Sequence, residues 1–279
     1  MMNKKQVIEQ LQKLDMHPSR RLGQNFLVDG NMLNALAQDA QLHAGQRVLE
    51  IGPGLGMLTD ALLAAGCSVT AVELDHRLAA FLRERYASNS NLRLVEGDAC
   101  RQDFDEIMGT EAYRCVANLP YSCSTPFLAN IASAANPPLD LCVLLQREMA
   151  ERLVAGHGTK DYGLPTVKVA LRYSARVLRT VPPSVFFPPP EVTSSFVRLE
   201  LNDRCDAAMR ALVERVATAA FAQRRKKAIT QIAALFPTLD MQTIFARAGM
   251  AGDVRADGIS VNGYIELSRL INTELEEQK

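Results

Sequence analysis

The sequence predicts an α/β protein with a doubly wound, mostly parallel seven-stranded sheet and a small C-terminal all-helical domain. Short apolar runs of strand length alternate with helical patterns from Asn31 to Leu201, and this alternation is typical of parallel sheets covered by helices. After Asn202-Asp203 the alternation stops and only helical periods remain. The expected strands lie near Val48, Val69, Leu94, Val116, Val143, Leu178 and Val197.

At 279 residues with 48% apolar content, the chain is long enough for one large domain and a smaller one. We divide it into an N-terminal extension, residues 1–21, a main domain, residues 22–202, and a helical domain, residues 203–279. The extension has one amphipathic helical pattern and is expected to be mobile at its start. In the helical domain, apolar periodicity predicts helices over Ala207 to Ala222, Lys226 to Leu235, Met241 to Ala248 and Val261 to Leu275.

The first expected strand, Arg47 to Ile51, passes into Gly52-Pro-Gly54-Leu-Gly56 and then into a helical pattern from Met57 to Ala65. A strand, a glycine turn and a helix N-terminus form the nucleotide-binding corner of an open α/β sheet, where Gly52 and Gly54 let a ligand touch the backbone. The second strand ends at Glu73. Its carboxylate can accept hydrogen bonds from both hydroxyls of a ribose.

The next two strands also end in polar residues. The third leads to Gly97-Asp98-Ala99, where the Asp98 carboxylate could accept from the amino group of an adenine ring. The fourth leads to Asn118-Leu-Pro-Tyr121. The Asn118 amide oxygen and the Leu119 carbonyl would accept both hydrogens of an exocyclic amine, while Tyr121 stacks on the base. Alone, this stretch also fits an ordinary strand-to-turn connection with a buried tyrosine.

Two cofactors fit such a corner, NAD and S-adenosylmethionine. The glycine spacing is G-x-G-x-G rather than the G-x-G-x-x-G of dinucleotide sites, and Thr125 stands where a Tyr-x-x-x-Lys pair would need its lysine. The chain has no G-K-[ST] phosphate loop, which argues against ATP. Together with Asn118 to Tyr121 at the fourth strand, these features favour the methyl donor.

Composition is that expected of a cytoplasmic protein. The six cysteines show no C-x-x-C spacing and indicate reduced thiols, and the four histidines lack metal-ligand spacing, so no metal site is expected. No apolar run approaches the ~20 residues that span a bilayer, so no membrane association is expected. The stretch Met1 to Gln12 is polar rather than a signal peptide.

Seven motifs in order resemble those of the ribosomal RNA adenine dimethyltransferases, most closely the bacterial small-subunit branch of that family. The similarity runs from about Arg20 to Leu270. The motifs are Gly23-Gln-Asn-Phe-Leu27, Glu50-Ile-Gly-Pro-Gly54, Val72-Glu-Leu-Asp75, Glu96-Gly-Asp-Ala99, Asn118-Leu-Pro-Tyr121, Phe186-Phe-Pro-Pro-Pro190 and Gln223-Arg-Arg-Lys226.

The resemblance implies a Rossmann-like methyltransferase domain, with an S-adenosylmethionine site lined by Asn25, Leu27, Gly52, Glu73, Asp98 and Asn118. It also implies that Tyr121 and Phe186 sandwich the target adenine. Phe187 adds a second ring to the same loop and leaves open which of the two faces the base. Cys123 departs from the family, whose members often have a branched apolar residue there. The implied substrate is a pair of adjacent adenines in a hairpin near the 3′ end of small-subunit rRNA.

Charge is the feature that fits an RNA-binding protein least well, because Lys+Arg and Asp+Glu both total 31. Local patches can still attract a polyanion. One candidate group includes Arg147 and Arg152, for which a solvated helix face is the alternative. The other is Arg224, Arg225, Lys226 and Lys227, expected to open the second helix of the helical domain and to contact RNA.

We therefore expect a monomeric rRNA adenine dimethyltransferase that acts on an assembling small-subunit particle of the 30S type. Two alternatives remain at this level. One is the related large-subunit methyltransferase that confers macrolide resistance, although Arg255 to Ser260 looks more like the small-subunit type. The other is a ribosome-assembly factor that has lost its chemistry, which the intact Gly52, Glu73, Asp98 and Asn118 argue against.

Overall fold

The computed structural model of the chain describes residues 2–19 and 23–278. It divides into two compact units. The first contains the residues up to Ala150 together with Ala175–Leu201, and the second contains Glu151–Ser174 together with the residues from Asn202 onward. The boundary expected between residues 21 and 22 lies outside the described residues.

The central sheet of the first unit has seven strands, at the seven places expected. They are β2 (Arg47–Ile51), β3 (Ser68–Glu73), β4 (Leu92–Glu96), β5 (Arg114–Asn118), β6 (Asp140–Gln146), β7 (Tyr173–Val181) and β9 (Ser194–Leu201). Their order in the sheet is β4-β3-β2-β5-β6-β9-β7. The pairs from β4 to β6 are parallel, and β9 is antiparallel to β6. The strand order reverses direction at β2, and ligands of open α/β sheets bind beyond the carboxyl ends of strands at such a point.

A second, two-stranded sheet was not expected from the sequence. It pairs β1 (Phe26–Leu27) with β8 (Phe186–Phe187) in antiparallel register, Phe26 opposite Phe187 and Leu27 opposite Phe186. The Pro-rich stretch before it forms a 3₁₀ turn over Pro183–Val185. The ladder therefore joins the N-terminal part of the first unit to its last part.

Four helices of the first unit begin at a capping side chain, those of Asn3, Asp29, Asp75 and Asp103. The Asp75 carboxylate, for example, accepts from the Arg77 backbone N–H at 3.0 Å. The N-terminal helix begins with a capping box between Asn3 and Gln6 and has Val7 buried. The helices are α1 (Lys4–Lys13), α2 (Gly30–Ala40), α3 (Met57–Ala64), α4 (His76–Arg85), α5 (Phe104–Met108), α6 (Ser124–Ser133) and α7 (Arg147–Val154).

The second unit is all-helical, with its own apolar core. Its helices are α8 (Leu164–Ala170), α9 (Ala207–Phe221), α10 (Ala228–Ala233), α11 (Met241–Arg247) and α12 (Val261–Glu277). Helix α8 belongs here because Val167 and Leu171 are fully buried in this core. The domain division expected from sequence assigned residues 151–174 to the main domain, since these helices interrupt the α/β alternation without any change of composition.

The second expected helix of this unit begins two residues later than the sequence pattern indicated. Lys227 has extended backbone, φ −61° and ψ 131°, and forms an isolated antiparallel bridge with Arg255. The basic turn, Arg224, Arg225, Lys226 and Lys227, therefore precedes α10 instead of opening it. In the described part of the chain, no helix is both long and apolar enough to cross a membrane.

Candidate active site

A cavity opens at the carboxyl ends of β2, β3, β4 and β5, within the first unit. It gathers residues that lie far apart in sequence. All seven residues predicted to hold the cofactor line it: Asn25, Leu27, Gly52, Gly54, Glu73, Asp98 and Asn118. Leu119 and Tyr121 line it as well.

The glycine turn after β2 needs glycine for both conformation and space. Gly52 and Gly54 have φ of +64° and +59°, which side chains rarely adopt. A Cβ on Gly54 would lie 3.0 Å from the Phe26 ring, and one on Gly52 would lie 3.3 Å from the Pro120 ring. The turn therefore lets β1 and the loop after β5 close around the cavity.

Glu73 is held rigidly at the end of β3 and is 5% exposed. Its Oε2 accepts from the Gly54 backbone N–H at 3.0 Å, and its Oε1 accepts from the Asp75 N–H at 2.9 Å. Burial raises the pKa of Glu73, while these two N–H groups oppose the rise. Asp98 is held in a similar way, because its Oδ1 accepts from the Cys100 N–H at 2.9 Å. Each carboxyl keeps lone pairs for a further donor.

Asn118 is oriented by a hydrogen bond across the cavity wall. Its Nδ2 donates to the backbone carbonyl of Asn25 at 2.9 Å, so the Asn118 amide oxygen keeps its acceptor capacity. No described residue donates to the Leu119 carbonyl. Two acceptors therefore stand next to each other at the end of β5. This is the pair predicted from the sequence.

Tyr121 is half-buried at the cavity, and its hydroxyl lies 2.6 Å from the hydroxyl of the buried Ser194. Burial raises the pKa of Tyr121, and the Ser194 contact lowers it to a smaller extent, so the residue stays a neutral phenol at neutral pH. The hydrogen bond fixes the ring at the edge of the site.

The two aromatic rings of the Pro-rich loop differ in burial, and neither is among the described residues that line the cavity. Phe186 is only 1% exposed and belongs to the main apolar core. Phe187 is partly exposed, with the Lys4 ammonium 5.9 Å from its ring centroid. The sequence could not separate them, because neighbouring residues of a strand point to opposite faces and only the β1–β8 pairing decides which face is buried.

Four carboxyl side chains line the cavity, those of Glu50, Glu73, Asp75 and Asp98, and no Lys, Arg or His is found among the described residues that line it. Glu50 was missed from the sequence. Its signal was a charged residue inside the apolar run of the first strand, at a position expected to be buried. Burial, together with the nearby Glu73 and Asp60 carboxyls, raises the pKa of Glu50 to about 8, although the Thr59 hydroxyl opposes the rise.

The predicted RNA-contacting residues lie on the surface, outside this cavity. Arg147 and Arg152 are exposed on α7. Within the basic turn, Arg224 is already bound to other parts of the chain. Its Nε lies 3.3 Å from Asp257, and its Nη2 donates to the carbonyls of Thr159 and Lys160. Arg225, Lys226 and Lys227 are exposed, and no ion pair holds them in the described part of the chain.

All six cysteines are free thiols. Within residues 2–19 and 23–278, no group of three or more His, Cys, Asp or Glu side chains is arranged to hold a metal ion.

Two solved structures share the fold. A dimethyladenosine transferase from Plasmodium falciparum superimposes with a TM-score of 0.76 at 23% identity, covering 89% of this chain and 98% of that one. The 23S rRNA methyltransferase ErmE superimposes with a TM-score of 0.68 at 22% identity, covering 89% of this chain and all of that one (100%). At these identities the similarity establishes the Rossmann-like fold alone.

Sequence relatives are more similar. The ribosomal RNA small subunit methyltransferase A of Methylococcus capsulatus is 40% identical over 256 residues, 91% of this chain and 98% of that protein. The protein of the same name from Moorella thermoacetica is 36% identical over 266 residues, 91% of this chain and 92% of that protein. The family model for ribosomal RNA adenine dimethylase matches residues 17–273. The resemblance read from the seven motifs is confirmed, and the chain belongs to the ribosomal RNA adenine dimethylase family.

Proposed function

We propose that this chain is an S-adenosylmethionine-dependent enzyme that dimethylates the exocyclic amines of two adjacent adenines in a 3′-terminal hairpin loop of small-subunit rRNA. The observation that carries the proposal is one cavity that joins four carboxyl groups, without any basic lining residue among those described, to the acceptor pair at Asn118 and Leu119. The first feature selects a cationic ligand, and the second selects an amine.

The cavity fits the methyl donor better than NAD. A dinucleotide brings a pyrophosphate, which such sites hold with a helix N-terminus, backbone N–H groups and often a cation, whereas four lining carboxyls would repel it. Glu73 would hold the ribose hydroxyls, Asp98 the adenine amine, and the backbone at Gly52 and Gly54 the remainder, with Asn25 and Leu27 closing the site. The donor supplies the electrophilic methyl group.

The residues after β5 would prepare the acceptor amine. The lone pair of an aromatic amine is delocalised into the ring, so the nitrogen is a weak nucleophile. The Asn118 amide oxygen and the Leu119 carbonyl would accept its two hydrogens and favour a tetrahedral nitrogen. Tyr121 would stack on one face of the base, and Phe187, the more exposed of the two rings, would stack on the other in place of Phe186, since stacking contributes ~1–3 kcal/mol per base. Rate enhancement would come mainly from alignment, with no strong general base.

RNA affinity would come from exposed cations rather than from the catalytic cavity. We propose phosphate contacts for Arg147, Arg152 and the basic turn, in which Arg225, Lys226 and Lys227 have no counter-charge among the described residues. Replacing these three with Gln should lower the salt dependence of RNA binding by up to about three phosphate contacts and leave donor affinity unchanged. An unchanged slope in a salt titration would remove the turn from the interface.

The cellular setting belongs to the same proposal: a monomer acting in the cytoplasm on an assembling small-subunit particle of the 30S type. Relatives named for the small subunit, at 36–40% identity, favour it over a large-subunit substrate, since the large-subunit enzyme ErmE is 22% identical and shares only the fold. Mass spectrometry of small- and large-subunit rRNA from cells with and without this protein tests the choice. If cells without the protein lose methylation of large-subunit rRNA instead, the large-subunit substrate is the correct one.

The activity itself is tested with Asn118→Ala. Single-turnover methyl transfer should fall on the order of 100-fold, the cost of losing alignment at the reacting atoms, while RNA binding in a filter assay stays near that of the unmodified protein. Equal losses in both assays would mean that Asn118 supports the fold instead. A purified protein that binds no S-adenosylmethionine would favour the assembly-factor alternative.

A further inference from the structure

Glu50 is held at the cavity wall by one residue, Thr59 of α3, through its hydroxyl and its backbone N–H. It sits next to the end of β2, is 1% exposed and lines the cavity. Among the described residues its hydrogen-bonding partner is Thr59 of α3, whose hydroxyl donates to Glu50 Oε2 at 2.7 Å. By contrast, backbone N–H groups occupy both oxygens of Glu73. Glu50 therefore keeps unused acceptor capacity at the cavity wall.

Among the described residues, the groups that act on Glu50 are the Glu73 carboxyl, the Asp60 carboxyl, which is paired with Arg85, and the Thr59 hydroxyl. Burial raises the pKa of Glu50 to about 8, so the free protein holds this carboxyl largely protonated at pH 7. Keeping such a group neutral avoids a buried negative charge without a partner, which would be costly. The titratable groups that face it are Glu73 of β3, Asp60 of α3, Tyr86 after α4 and Cys115 of β5.

We propose that Glu50 is the counter-charge for the positive charge of the bound methyl donor, and that its carboxyl gives up its proton to solvent when the donor binds. This rests on the proposed function, because only a cationic ligand in the cavity reverses the preference for the neutral acid. S-adenosylmethionine carries a fixed sulfonium charge that no pH change removes. The Glu50 O–H bond breaks, the proton goes to the buffer, and no electron transfer is involved.

Of the facing groups, Glu73 is the one that could release a competing proton. Burial raises the pKa of Glu73 as well, whereas Tyr86 and Cys115 have pKa values raised well above neutrality and stay protonated. Donor binding also engages the α-amino group of the donor, which ordinarily titrates near pH 8. A measurement must therefore isolate Glu50 by difference between variants.

The test is calorimetric titration of the purified protein with S-adenosylmethionine at pH 7, in buffers of different ionisation enthalpy, which counts released protons. The unmodified protein should release up to about one proton more than Glu50→Gln, and this difference should fall towards zero by pH 9, where Glu50 is already ionised. Glu96→Gln is the matched control. Glu96 also ends a parallel strand, but it is exposed, pairs with Arg83 and lies outside the cavity.

Equal proton release by the unmodified protein and Glu50→Gln, with donor bound to both, would overturn the inference and leave the proposed function standing. No donor binding to the unmodified protein would overturn the proposed function itself. If Glu50→Gln does not fold, infrared difference spectroscopy of the unmodified protein replaces it: donor addition at pH 7 should remove a carboxylic-acid C=O band. Retention of that band with donor bound would also overturn the inference.

Discussion

The two edges of the central sheet handle buried charge in opposite ways. At the edge where the strands begin, Arg114 of β5 donates to Asp140 of β6 with Nε and Oδ1 2.6 Å apart, and Arg198 of β9 lies 3.5 Å from the same carboxylate. At the edge where the parallel strands end, Glu50 and Glu73 are buried as Asp140 is, but they face no cation of the described chain.

The difference separates structural charge from functional charge. A buried ion pair is complete within the fold, so removing one member leaves the other without compensation. A buried acid that lacks a counter-charge weakens the free protein slightly and becomes favourable only when a ligand supplies the missing charge. Substitutions at the edge where the strands begin should therefore lower stability. Substitutions at the edge where the parallel strands end should instead weaken donor binding.

The largest expected effect is at the edge where the strands begin. Arg114→Met leaves Asp140 buried with one of its two cations, and should lower the free energy of unfolding by ~3–5 kcal/mol. Urea denaturation followed by circular dichroism measures it. Arg176→Met is the matched control, because Arg176 and Glu200 form an exposed pair at 3.2 Å and such pairs contribute at most ~1 kcal/mol. Equal losses in both variants would contradict the contrast.

The β1–β8 ladder offers the same contrast between neighbouring rings. Phe186→Ala opens a cavity in the core and should cost ~3–5 kcal/mol of stability, whereas Phe187→Ala should leave stability nearly unchanged and reduce methyl transfer. Thermal unfolding and single-turnover methylation of both variants distinguish the roles. If Phe187→Ala methylates normally while a folded Phe186→Ala does not, the ring that faces the base is Phe186 after all.

At the edge where the parallel strands end, a substitution should reduce donor affinity. Glu73→Gln should weaken S-adenosylmethionine binding by ~1–3 kcal/mol, the range for hydrogen bonds to a charged group, with a smaller change in unfolding free energy than Arg114→Met. Calorimetry of the folded variant provides the affinity. Unchanged donor affinity would remove Glu73 from the site.

A further effect is a dependence of stability on pH. Because the pKa of Glu50 is raised to about 8 in the folded protein, the unfolded chain holds fewer protons between its ordinary pKa near 4.5 and about 8, so stability falls as pH rises through this range. Glu50→Gln removes that share of the decline. Its melting temperature without donor should match the unmodified protein near pH 4 and exceed it increasingly up to pH 8. A constant difference across the range would contradict the raised pKa.

Sequence patterns predicted the seven strands and placed Gly52, Gly54, Glu73, Asp98 and Asn118 at strand ends or in the glycine turn, because strand periodicity and turn chemistry are local properties. Asn25 and Leu27 were proposed only from the family resemblance. The patterns did not predict the β1–β8 ladder, and therefore not the burial of Phe186, because pairing between distant short segments leaves no periodic signal. Arg224 looked unpaired because Asp257 lies in a different part of the chain. Glu50 was overlooked because its apolar neighbours marked only a strand.

The β1–β8 ladder also determines at which stage of synthesis the cavity can form. Phe26 and Leu27 line the cavity, but their strand partners are Phe187 and Phe186, which leave the translating ribosome long after them. Contacts between such distant segments close late, since the chain must lose the entropy of a large loop before the pairing compensates for it. A nascent chain can therefore build the parallel core of the sheet early, yet it gains a closed donor pocket only once nearly the whole first unit has been synthesised. Competence to bind the donor thus reports that this unit is complete.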